Sequence, residues 1–191
     1  EALGVSKIVC ARVNVDLGQL NDTLGSLIVD AANEVAAGEL HEHFPVDVFQ
    51  TGSATSTKMN VNEVIANKSN MAAGYGAGTY SPVHPNNHVN MGQSSNDVIP
   101  SAMNVSLLLQ LKRKLIPSLV AMQNVLSQKE KAFEKVLKVG RTHRMDADPM
   151  TIGQQFSGYA SQISESVNKI NFSIDFIRQL QIGEIYVRSV Y

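Results

Sequence analysis

Two long runs of helical apolar spacing constrain this chain more than anything else in it. From Val98 to about Glu134, Val105, Leu108, Leu109, Leu111, Leu115 and Leu119 recur at helical steps. From Thr151 to about Leu180, Ile152, Phe156, Tyr159, Ile163, Val167, Ile170, Ile174 and Ile177 do the same. Two such helices of nearly thirty residues would extend about 40 Å each at 1.5 Å per residue. Pro117 is expected to kink or divide the first, because it removes one helical hydrogen bond and crowds the preceding turn. Neither stripe can be buried against the other alone, so further helices are required, from the remainder of a domain or from other chains. The expected architecture is all-α, with long helices built for a bundle.

The N-terminal part reads as a helical hairpin. Val5, Ile8, Val9, Val13 and Leu17 mark one helix from Leu3 to about Leu20. Leu24, Leu27, Ile28, Ala31 and Val35 mark a second from Thr23 to Ala37, closed by Gly38. A third helix, with Met59, Val61, Val64 and Ile65, follows a hydroxyl-rich loop at Phe49–Thr57. The Gly74–Gly78 run has no following Lys-Ser/Thr and no preceding strand pattern, so it reads as a connector rather than a nucleotide loop. His41-Glu42-His43 lacks the i,i+4 spacing of a helical zinc site, and no metal is expected.

Composition narrows the function classes. The net charge of -1 gives no electrostatic reason to expect nucleic acid or an anionic membrane as partner, which leaves a small-molecule substrate. A single cysteine, Cys10, excludes an internal disulfide framework and suits a reducing compartment. No apolar run reaches membrane-spanning length, and no signal peptide is visible. The sequence opens at Glu1 without a methionine, directly into a helical pattern, which reads as a processed or cloned boundary.

Two stretches carry the chemistry. Val83–Asn104 concentrates His84, Asn86, Asn87, His88, Ser94, Ser95, Asn96 and Asp97 just ahead of a helix. Pro100 suits a first helical turn, and Ser95, Asn96 or Asp97 can serve as N-cap. Free amides and the positive dipole end then favour an anion, for which a carboxylate is the natural guest of Ser94, Ser95 and Asn96. An ordinary capped helix is the plainer alternative. Downstream, Gly140–Gln154 places Thr142-His143 in a short loop between two helical patterns. The next helix is announced by Asp148-Pro149 and by the capping-box spacing of Thr151 and Gln154. Imidazole is the side chain best suited to moving a proton near neutral pH, and Asp146 and Asp148 lie close by in sequence.

TGSATSTKMNVNEVIAN from Thr51, HPNNHVNMGQSSND from His84 and GRTHRMDADPMTIGQQFSGY from Gly140 together resemble the class II fumarase and aspartase superfamily, and within it the fumarases. Aspartases usually carry Gln where His143 stands and Thr where Ser95 stands. The resemblance implies an N-terminal helical domain over residues 1–88 and the first long helices of a central bundle over 89–191, with a homotetramer assembled through those helices. It also implies a metal-free, cofactor-free hydration of fumarate to (S)-malate in the tricarboxylic acid cycle. His143 inherits the water-handling acid/base role, while Ser53, Ala54, Thr55, Ser94, Ser95, Asn96 and Thr142 inherit carboxylate contacts. His84, Pro85, Asn86 and Asn87 match a second anion site.

Departures from the family pattern are specific. Ala54 replaces the usual Gly and lacks its freedom at positive φ. Lys58 replaces a usual Asn, and Asn87 a usual Asp; Arg144 is a further choice beside His143. The segment from Gln181 to Tyr191 does not match the family's Gly- and Thr-rich continuation, and the later loop that supplies the family's Ser base does not occur, so the chain is expected to hold part of a site shared between subunits. Two other readings stand beside this one: a truncated, non-catalytic relative serving as a helical assembly module, and an aspartate ammonia-lyase-like enzyme. A cytoplasmic location is expected, or the mitochondrial matrix if the source is eukaryotic.

Overall fold

The computed structural model describes residues 1–182; the sequence reading of the segment beyond Ile182 falls outside the described residues. The chain groups into two compact units, Glu1–Ser106 and Leu107–Gln179. Helices α1 (Ala2–Asp16), α2 (Asp22–Ala37) and α3 (Thr55–Ala72) and the first turns of α4 (Ser95–Gln110) belong to the first. Helices α5 (Ile116–Ala132) and α6 (Ile152–Ile177) and the hairpin of β1 (Leu137–Thr142) and β2 (Met145–Thr151) belong to the second. The all-α class holds, with this small antiparallel hairpin as the only sheet among the described residues.

In the first unit, α1 and α2 pack as the expected hairpin, but on a different face of α1. The buried residues of α1 are Gly4, Ser6, Lys7 and Ala11, whereas Val9, Val13 and Leu17 are 51%, 46% and 66% exposed. Close approach decides this: a methyl group at Gly4 would lie 2.7 Å from the Ala36 amide nitrogen and 2.9 Å from the Ala32 carbonyl. Helix α2 begins at the Asn21 cap, whose side chain accepts from the Thr23 amide, and ends at Gly38 with φ 82°, the left-handed stop that glycine adopts without penalty. Ile28, Ala31, Ala32 and Val35 of α2 meet Val61, Val64, Ile65 and Ala66 of α3 to make the core.

Buried polar clamps fix the loop after α3. Asn70 donates through Nδ2 to the Val83 carbonyl (2.9 Å) and accepts the Val83 amide on Oδ1 (2.7 Å). Ser69 donates to the Leu27 carbonyl at 3.0 Å, and the Gly78 amide donates to Asn67 Oδ1 at 2.6 Å, tying the glycine-rich connector down.

The second unit is an antiparallel pair of helices with the hairpin between them. Pro117 divides the long apolar run as expected: a π-helical turn at Leu111–Leu115 precedes α5, and Pro117 sits in that helix's first turn, where its missing N–H breaks no ladder bond. Close packing of α6 on α5 depends on Gly153, whose added methyl would lie 2.6 Å from the Glu130 carbonyl. Phe133 stacks on Phe156 at 5.9 Å between ring centres. The predicted capping box is present, with the Gln154 amide donating to Thr151 Oγ1 (3.0 Å) and the Thr151 amide to Gln154 Oε1 (2.9 Å).

The segment 137–151 corrects the sequence reading. Thr142-His143 does lie at a short turn, but strands flank it rather than helical patterns, with Leu137 paired to Thr151 and Thr142 to Met145. A bulge at Gly140 admits the close approach of the Asp148 carbonyl. No described helix is long and apolar enough to cross a membrane.

Candidate active site

In the first unit, the candidate carboxylate-binding groups sit at two helix starts. Ser53 and Thr55 lie in the loop leading into α3, their hydroxyls 2.9 Å apart and exposed. Ala54 between them is the N-cap of α3 with φ 49° and ψ 30°, left-handed backbone that costs an L-residue about 1–2 kcal/mol. The glycine usual at this place in the fumarases would adopt it freely. Gln50 satisfies part of the α3 start by accepting the Thr57 amide on Oε1 at 3.1 Å.

The second helix start differs from expectation by one turn. α4 begins at Ser95, not near Val98, so Ser95, Asn96 and Asp97 are its first residues rather than its cap. Ser94 takes that position instead, its Oγ accepting the Asn96 amide (3.2 Å) and its carbonyl the Val98 amide (3.0 Å). Pro100 consequently lies inside the helix and not in its first turn. Ser94 and Ser95 are half-buried and Asn96 is exposed, so the donors face outward from a dipole end that favours an anion.

The segment His84–Val89 forms a single π-helical turn capped by its own histidine. His84 Nδ1 accepts the Asn86 and Asn87 amides at 3.1 and 3.3 Å, and the His84 amide donates to His88 Nδ1 at 2.9 Å. Both amides that an anion would use are therefore engaged by the ring in this arrangement. Burial, and then the neighbouring His84, hold His88 below the usual histidine pKa.

In the second unit, Thr142 ends β1 and His143-Arg144 form the two-residue turn, with φ of 49° and 64°. Positive φ at both central positions is the type I′ requirement, which Asn-Gly meets most easily. His and Arg hold it at a cost, which is the kind of backbone expense that clusters at functional positions. Thr142, His143 and Arg144 are exposed, and Arg141 pairs with Asp146 across the hairpin at 3.7 Å.

Sequence reading missed a buried polar cluster under the α4 start. Lys7 is 1% exposed and Lys58 4%. Lys7 Nζ donates to Gln93 Oε1 at 2.7 Å and to Asn90 Oδ1 at 3.4 Å; Lys58 Nζ donates to the Gln93 carbonyl at 3.1 Å. Burial, reinforced by the Lys58 charge and opposed by Cys10, lowers the Lys7 pKa to about 7. Burial also lowers that of Lys58, against the pull of Asp97. Asp97 Oδ2 is buried without a hydrogen-bond partner. The available signal was positional: Lys7 lies three residues after Gly4 and four before Ala11, on the face that small residues mark for close packing.

A predominantly helical fold with polar helix starts in one unit and a small histidine-bearing hairpin in the other fits the lyase class. A family model described as "Lyase" matches residues 1–184, and the chain belongs to that lyase family. It is 48% identical over 182 residues to the class II fumarate hydratase of Chlamydia caviae, an alignment covering 95% of this chain and 40% of that protein. The crystal structure of class II fumarase from Schistosoma mansoni superposes with a TM-score of 0.92 at 42% identity, over 95% of this chain and 38% of the other. Fumarate lyase:delta crystallin from Brucella melitensis gives 0.90 at 37% identity, over 95% and 42%. The chain spans about two fifths of the length of the curated relatives it matches.

Proposed function

We propose that the protein carrying this chain is a fumarate hydratase that interconverts fumarate and (S)-malate in the tricarboxylic acid cycle. The observation that carries this reading is the Thr142–Arg144 turn. It holds His143 exposed, at positive φ, in a chain 48% identical to a class II fumarate hydratase. His143 activates or receives the water as acid/base. Thr142, Ser94, Ser95, Asn96, Ser53, Ala54 and Thr55 bind carboxylates, and the charge that builds on one carboxylate as the adjacent proton leaves is stabilised by their hydroxyl and amide donors. His84, Pro85, Asn86 and Asn87 form a second anion site, one that opens only when the His84 ring releases its two amides. The base that removes the carbon-bound proton is not assigned to any residue of this chain.

The site is shared between subunits of a homotetramer. Residues 1–88 form the first domain and 89–191 the start of the central bundle, whose exposed Phe172, Phe176, Met122 and Val125 supply apolar surface for neighbouring helices. The cytoplasm, or the mitochondrial matrix in a eukaryote, is the matching location. No cofactor or metal takes part in these steps.

The test is malate dehydration followed by absorbance of the fumarate double bond, with aspartate deamination as the competing assay. Turnover of malate that falls at least ~100-fold in His143→Asn supports the reading. Turnover of aspartate alone replaces it with the ammonia-lyase reading, and turnover of neither leaves an assembly module.

A further inference from the structure

We propose that Lys58 is a positioning residue for the dicarboxylate site: its ammonium fixes the Gln93 carbonyl and thereby sets where Ser94, Ser95 and Asn96 present their donors. The inference rests on the functional reading above and adds a residue that reading does not use.

The geometry is a two-sided clamp on one residue. Gln93 accepts Lys58 Nζ on its carbonyl at 3.1 Å and Asn90 Nδ2 on the same atom at 3.2 Å. It accepts Lys7 Nζ on Oε1 at 2.7 Å and donates from Nε2 to the Val89 carbonyl at 2.9 Å. The Gln93 carbonyl and the Ser94 amide share one rigid peptide plane, so holding the oxygen orients the residue that caps α4. Lys58 itself belongs to the first turn of α3, its amide donating to the Ala54 carbonyl at 3.1 Å. One side chain therefore links the Ser53–Thr55 loop to the Ser94–Asn96 helix start, two places in the first unit assigned above to the substrate carboxylates.

The chemistry of the choice points the same way. An apolar side chain of equal length would fill the space without the desolvation cost of a buried ammonium. Lys58 instead places a cation under the proposed anion site, opposed by Asp97, whose Oδ2 has no hydrogen-bond partner. A purely packing role would not call for that charge.

The test uses the full protein that carries this chain, comparing wild type with Lys58→Met and with Lys58→Cys aminoethylated by 2-bromoethylamine before refolding, on a background in which Cys10 and every other cysteine of that protein are replaced by alanine. In Lys58→Met, KM for fumarate should rise about tenfold while kcat stays within about threefold, the pattern of lost binding rather than lost chemistry. Amide exchange at Asn96–Val98 should quicken about tenfold, as local opening becomes easier. Aminoethylation, which restores an ammonium at nearly the same reach, should return both. Unchanged KM and unchanged exchange in a folded Lys58→Met protein would overturn the proposal, as would rescue failing while the helix content is intact. If the wild type does not turn over fumarate, the functional reading fails and amide exchange with its rescue still decides the role of Lys58. Should Lys58→Met not fold, Lys58→Gln takes its place with the same readouts.

Discussion

Lys7 makes the stability of the first unit depend on pH, where an ordinary surface lysine would leave it unchanged. Its ammonium is 1% exposed and held by Gln93 and Asn90, and burial first, then the Lys58 charge, lowers its pKa from 10.5 to about 7. In the unfolded chain it returns to the ordinary value, so between pH 7 and 10.5 the unfolded state binds more protons than the native state and stability rises with pH. At 1.36 kcal/mol per pH unit the full window corresponds to about 5 kcal/mol, and the part crossed between pH 6.5 and 8.5 to about 2 kcal/mol. The assay is urea unfolding at those two pH values for wild type and Lys7→Met, with exchange of the α2 amides assigning the transition to the first unit. Subtracting the Lys7→Met change removes the titrating groups that do not interact with Lys7, leaving Lys7 with its neighbours Lys58 and Cys10. A residual wild-type gain near 2 kcal/mol is expected, together with a 13Cε lysine resonance titrating near neutrality. A Lys7 resonance titrating above about pH 9.5, or a gain that is the same in both proteins, would refute the argument that burial dominates its two amide acceptors.

Four further outcomes test the packing, the backbone strain and the capping. Gly153→Ala should destabilise the second unit by about 1–3 kcal/mol in thermal unfolding, because its methyl meets the Glu130 carbonyl and Glu134 Cα at 2.6 and 2.8 Å. Gly158→Ala, whose added methyl would meet nothing within 4 Å, should stabilise it by up to about 1 kcal/mol. Ala54→Gly should raise the unfolding free energy of the first unit in urea by about 1 kcal/mol or less, since relief of the left-handed backbone is offset by the greater freedom of unfolded glycine. Thr151→Ala removes the capping box and should cost about 1 kcal/mol by the same unfolding assay.

What was legible in the sequence was local. The stop of α2 at Gly38, the division before α5 at Pro117 and the α6 capping box of Thr151 and Gln154 each depend on residues within a turn of one another, so their chemistry is readable from spacing. The hydroxyl-rich loop, the Ser94–Asn96 run and Thr142-His143 were visible for the same reason. The hairpin around His143 was not, because its turn lacks the Asn-Gly signal and its strands are defined by pairing Leu137 with Thr151 across the turn. The start of α4 was placed a turn late because Pro100, readable as a first-turn proline, is instead accommodated inside the helix.

The sequence by itself determined that this chain builds helices, roughly where they run, and which polar residues crowd their starts, since periodicity, caps and breakers act over a few residues. Only the tertiary structure decided which faces are buried. On α1 the larger apolar residues Val9, Val13 and Leu17 lost to Gly4 and Ala11, because backbone approach to Ala32 and Ala36 of α2 rewards small side chains more than it rewards hydrophobicity. That choice carried Lys7 inward, and packing of α3 carried Lys58 with it. Gln93 then became the common acceptor of two buried ammonium groups, brought together from positions 7, 58 and 93 by helix packing, a separation that no local pattern records.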